Sequence, residues 1–198
     1  MPGFEEVKFY LQGLWLMILG NPAGVTRLDT SPRGSLRSFW AILWCLPPIL
    51  LSWISTRMAF IAAMPPGTEA GGLFFFRLAL SEFFGWIVPV LLAGVLLAIA
   101  GFGDRFNGVV AATNWLSIPF AYANGFLILL ILLVPGLPGL IAFLWLILVS
   151  MFLISLERIY RMLCGGNTPL IVALVLMQIV PVLFLSDWIN GFLGVAVP

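Results

Sequence analysis

Apolar residues run through this chain in five long blocks, broken by short segments rich in Gly, Pro, Asn and Arg. A helix crossing about 30 Å of hydrocarbon needs roughly 20 apolar residues. The blocks at residues 38–61, 73–100, 109–134, 140–156 and 169–186 meet or approach that length. Ahead of them, Phe4, Val7, Leu11, Leu14, Trp15 and Ile18 recur at helical spacing, with Glu5, Glu6, Lys8 and Gln12 off the stripe. That pattern predicts an amphipathic helix over 4–19. It is short for a span, so it is expected in the membrane interface. Gly20-Asn21-Pro22 stops it. The predicted fold class is all-α and integral to a membrane: five transmembrane helices plus an N-terminal interfacial amphipathic helix. Residues 1–37 hold that helix and a polar connector; residues 38–198 hold the transmembrane domain.

Prolines enter four of the blocks, at Pro47-Pro48, Pro89, Pro119 and Pro181, and should kink them. The fifth block fades at Ser186-Asp187 into an apolar tail. Composition agrees with the pattern. Hydrophobic residues make up 62% of the chain and charged residues 9%, more apolar surface than a soluble domain of this size could bury. With the N-terminus in the cytoplasm, Lys8, Arg27, Arg33, Arg37, Arg105, Arg158 and Arg161 are all cytoplasmic, and only Arg57 and Arg77 are not. The positive-inside bias therefore predicts N-in, C-out. Glu5 and Glu6 stand where a signal peptide would be basic, so the first span is expected to act as an uncleaved anchor.

Chemistry narrows the functions further. The chain has no histidine, which removes the commonest metal ligand and general base. Cys45 and Cys164 match no metal spacing, and both fall near the cytoplasmic side, where a disulfide is not expected. One lysine and a net charge of +1 provide no basic tract for nucleic acid. No nucleophile elbow, phosphate loop, metalloprotease helix or dinucleotide fingerprint occurs. The expectation is a non-enzymatic protein without cofactor or metal.

Three constellations stand out. Arg57, Arg77, Glu82 and Asp187 fall toward the non-cytoplasmic side on three spans. A charge in hydrocarbon costs at least about 2.5–3.5 kcal/mol, so such groups pair or carry function. One arginine with one carboxylate is the expected pairing, and snorkelling to the interface is the structural alternative. Asn114, Ser117, Ala121, Asn124 and Gly125 form a polar, small-residue face on the third span, which reads as a helix-packing surface. Gly94 and Ala98 form a smaller contact of the same kind. Arg27, Arg33, Arg37, Arg158 and Arg161 are candidate contacts for anionic lipid headgroups.

The order of these parts resembles the Yip-domain family. The stretch Asn114-Trp115-Leu116-Ser117-Ile118-Pro119-Phe120 is similar to its third-span pattern. The Pro-Gly turn that follows and a fourth span ending in Glu157-Arg158 also fit. The opening Gly20-Asn21-Pro22 with Arg37-Ser38-Phe39-Trp40 looks like small uncharacterised inner-membrane proteins of alphaproteobacteria. The resemblance covers residues 38–185 and implies a bacterial inner membrane but no activity. The leading expectation is a scaffold or accessory subunit packing against other membrane proteins or lipids. Its motivation is short loops, missing catalytic side chains and a large apolar surface. The rival is a small solute or ion transporter, or the membrane subunit of one, motivated by the charged cluster and the broken helices. Whether Glu82 and Asp187 face an internal cavity or the lipid separates the two.

Overall fold

A computed structural model describes residues 2–134 and 136–196. Among them the regular structure is helical. Helix α1 spans Phe4–Ile18, α2 Pro32–Ser38, α3 Ala41–Ala63, α4 Gly72–Ile99, α5 Phe106–Leu133, α6 Pro138–Cys164 and α7 Thr168–Leu193. Five of these segments are long and apolar enough to cross a membrane, α2 and α3 counting together. The chain is an all-α, polytopic membrane protein.

Local chemistry sets the helix ends. Glu5 and Glu6 sit in the first turn of α1, where the helix dipole favours negative charge. Ser31 caps α2 by accepting the Gly34 amide at 3.1 Å, with Pro32 just inside. Asn167 caps α7 in the same way, accepting the Leu170 amide at 3.3 Å ahead of Pro169. Gly165 ends α6 in the left-handed region, at φ 72°.

The polar connector holds a 3₁₀ turn, Pro22–Arg27, and then α2. Two boundaries depart from the sequence reading. Helix α6 runs past Glu157-Arg158 to Cys164, because Leu156, Ile159, Tyr160 and Leu163 continue a buried stripe at helical spacing. Helix α7 does not fade at Ser186-Asp187 but continues to Leu193. Hydropathy falls there, yet neither side chain interrupts the backbone ladder.

The long helices alternate in direction. Two leaves result. In one, α5 is the hub, packed between α3 and α6, with α1 and α2 against it. In the other, α4 pairs with α7. The leaves join where α6 meets α7, while α3 and α4 touch little. Close packing is concentrated at one end, called here the packed end. There Trp115, Leu116, Ala111 and Ala112 of α5 meet Leu156, Ile159 and Tyr160 of α6, Ile171 and Leu174 of α7, and Cys45 of α3. At the other, open end a smaller cluster joins Phe60, Ala70, Phe74, Leu78 and Val195.

Helix α1 belongs to the packed end. Val7, Tyr10, Leu14 and Met17 are buried in the same core as α5 and α6. Of the apolar stripe, Val7 and Leu14 are buried in the protein, while Phe4 and Trp15 are 65% and 59% exposed. A second surface, the 3₁₀ turn, also packs on α1. Gly13 and Gly24 cross so closely that a Cβ on Gly13 would stand 3.0 Å from the Gly24 carbonyl. The Tyr10 ring stacks on Trp115 with centroids 5.1 Å apart. Arg37 reaches Glu6 at 2.8 Å, and Arg158 donates to the Ile18 carbonyl at 2.6 Å. Burying an apolar side chain out of water is worth about 1.5–3 kcal/mol. Within hydrocarbon that drive vanishes, and packing and hydrogen bonds hold the seams instead. Asn114 Nδ2 donates to Ser38 Oγ at 2.8 Å, and the Thr113 and Tyr160 hydroxyls lie 2.8 Å apart.

Candidate functional site

Between the two leaves lies a polar gap, and Glu82 of α4 stands in its middle. Two adjoining cavities share Ser52, Glu82 and Trp86. The larger, about 300 Å³, lies toward α7 and adds Thr56, Ser81, Gly85, Ser186 and Asn190. The smaller, about 250 Å³, lies toward α5 and adds Cys45, Pro48, Ser117, Ala121 and Asn124. Four helices contribute, each through residues one turn apart: Ser52 and Thr56 on α3, Glu82 and Trp86 on α4, Ser117 and Ala121 on α5, Ser186 and Asn190 on α7. The i, i+4 spacing puts each pair on one face.

Three of the hydroxyl protons in this gap are already committed. Thr56 Oγ1 donates to the Ser52 carbonyl at 2.9 Å, Ser117 Oγ to the Asn114 carbonyl at 2.6 Å, and Ser186 Oγ to the Leu183 carbonyl at 3.4 Å. What these hydroxyls leave to the cavity is oxygen lone pairs. Pro89, one turn beyond Gly85 in α4, has no amide to give the Gly85 carbonyl. Asn190 Oδ1 is buried without a hydrogen-bond partner. Trp86 stands beside the Glu82 carboxyl and offers the cavity an indole N–H. The lining is rich in acceptors and carries one carboxyl group.

The expected arginine–carboxylate pairing is not formed. Among the described residues no ion pair includes Glu82 or Asp187. Arg57 instead donates Nε to the Ala70 carbonyl at 2.7 Å, in the α3–α4 loop. Arg77 reaches the C-terminal end of α7, near Gly194. Both cations thus lie at the open end, away from Glu82. Asp187 follows Ser186 but lies about 100° further round α7, and it is exposed. Of the four residues grouped by sequence, Glu82 alone lines the gap.

The third-span face divides in two. Asn114 bonds to Ser38, and Gly125 presses on α3, where a Cβ would stand 2.8 Å from Pro48 Cβ. Ser117, Ala121 and Asn124 line the gap instead. Two groups that looked separate in sequence therefore share one cavity. Ser52, Thr56, Ser81, Trp86, Ser186 and Asn190 were not singled out by sequence, although their one-turn spacing within apolar spans was the available signal.

The five candidate headgroup arginines all lie at the packed end. Arg37 is tied to Glu6, Arg27 to Gln12 at 3.1 Å and Arg161 to Glu157, while Arg33 is exposed. Cys45 and Cys164 are buried free thiols. Gly94 meets the ring of Phe106 rather than a neighbouring helix backbone. No protein-family model matches the chain, and no curated protein or solved structure is found to be similar to it.

Proposed function

We propose that this protein moves a proton or a small monovalent cation across its membrane, with Glu82 as the binding group. One observation carries the reading: a carboxyl group without an ion-pair partner, among acceptor oxygens, in a gap between four helices. A lone carboxylate there costs at least about 2.5–3.5 kcal/mol unless a proton or a cation neutralises it. Hydroxyl and amide oxygens suit a hard cation, and a single carboxylate balances one positive charge. Proline inside α3, α4, α5 and α7 around the gap leaves helix carbonyls without their amide donors, which adds acceptors to such a site. Glu82 lines the gap, which supports transport over a purely interfacial role, whereas Asp187 is exposed and does not contribute.

Seven of the nine basic residues gather at the packed end, which supports a cytoplasmic packed end and an N-in, C-out orientation. A bacterial inner membrane stays with the resemblance to Yip-domain proteins. The test is flux. Purified protein in sealed vesicles is given a pH or Na⁺ gradient, and internal pH and cation are followed by dye. Uptake should appear with the native chain and fall at least about tenfold with Glu82→Gln, which keeps shape and removes the charge. A folded native protein that moves neither ion under either gradient would end the reading.

A second reading, as an accessory subunit, has its own observation. The paired ends of α5 and α6 are bare on their outer faces: Leu129, Ile131, Leu140, Phe143, Trp145, Leu146 and Ile147 are all exposed. A partner helix would cover them. Co-purification from native membranes in mild detergent, with a stoichiometric companion, supports this role; a lone chain removes it.

A further inference from the structure

A separate cavity opens at the packed end, under α1. It holds about 610 Å³ and lies between α1, the 3₁₀ turn, Trp44 of α3 and Tyr122 of α5. That volume is within the range of about 300–1,000 Å³ seen for small-molecule sites. Its walls are apolar, from Val7, Leu11, Trp15 and Ile118 among others, and among the described residues its charged lining groups are Lys8 and Arg27. Charge is therefore one-signed. Lys8 is exposed, and its nearest carboxylate, Glu5, stands 3.9 Å away and outside the cleft. Arg27 bonds to neutral Gln12, and its guanidinium lies 5.4 Å from the Phe9 ring centroid. No carboxylate of the described residues takes it in an ion pair.

We infer that this cleft binds one anionic phospholipid, an acyl chain along α1 and Ile118 and the phosphate against Lys8 and Arg27. The argument is charge complementarity over an apolar floor. A guanidinium and an ammonium are donors without acceptors and match phosphate oxygens. The apolar floor, continuous with five membrane-crossing helices, favours a bilayer lipid over a free phosphate. Helix α1 then serves as the roof of a lipid site as well as part of the core. The inference does not depend on Glu82 or on ion transport.

The experiment is native mass spectrometry of delipidated full-length protein. It is exposed to phosphatidylcholine vesicles with or without phosphatidylglycerol and extracted in mild detergent. The native chain should keep one phosphatidylglycerol and little phosphatidylcholine. Lys8→Gln with Arg27→Gln should lower retention roughly tenfold or more. Arg33→Gln, at the same end but outside the cleft, should not. Leu11→Trp fills the floor while leaving both cations, and it too should lose the lipid. Circular dichroism and elution volume check that each variant is folded. Equal retention of both lipids by the native chain would overturn the site. Full retention by Leu11→Trp would overturn the cleft and reduce the effect to surface attraction.

Discussion

Asp29 accepts the Ser31 backbone amide at 3.0 Å and so starts the turn into α2. The Ser31 side chain foremost, then the Ser31 backbone amide, Arg37 and Arg33, hold its carboxyl below the ordinary carboxylate range, against the opposing effect of burial. A carboxylate depressed in the folded state contributes stability above its unfolded value, and that contribution is lost as pH falls through the folded one. The loss should therefore begin at about pH 4 and deepen below it. Thermal unfolding of the native chain and of Asp29→Asn, run from neutral to acid, checks this: the variant should be less stable at neutral pH and the gap should close in acid. Tyr10 illustrates the opposite shift. Burial, then its hydrogen bond to Glu6 at 2.9 Å, pushes its phenol up to about 12, so it stays a donor throughout this range. Single residues were also where sequence spoke least. Thr56 and Ser186 donate to carbonyls of their own helices, so nothing in their identity demanded a partner. Only the fold shows that they share a cavity with Glu82.

At the level of elements, the α3–α5 seam depends on the absence of a side chain at Gly125. A Cβ there meets Pro48, whose ring has no rotamer to yield. Gly125→Ala should lower stability by about 1–3 kcal/mol, read as a drop in the midpoint of thermal or detergent unfolding. Gly139→Ala is the control. Nothing lies within 4 Å of that added atom, and the position is in the first turn of α6, so little change in stability is expected. The five long helices were legible because length and apolarity suffice to mark them. Their pairing was not. Helix α4 has its main partner in α7, three helices on, and hydropathy carries no azimuth. Helix α1 carries a further buried face that the stripe does not show: Tyr10 and Met17 pack inward beside the Gly13–Gly24 crossing.

The whole molecule has a tight end and a loose one, and the basic residues follow that division. Labelling in intact cells with a membrane-impermeant maleimide tests the orientation this suggests. Glu69 and Arg33 are exposed at opposite ends, and both native cysteines are buried. Glu69→Cys should label from outside and Arg33→Cys should not; the reverse would place the packed end outside. The tight end also has a consequence in time. The bond from Arg158 to Ile18 spans 140 residues of chain. Ribosomes add about 5–20 residues per second, so α1 waits on the order of 10–30 s for its last partner to emerge. Until then α1 has only the 3₁₀ turn and α5 to pack against, and the side of it that meets α6 stays uncovered. The first element made is among the last to be locked in place.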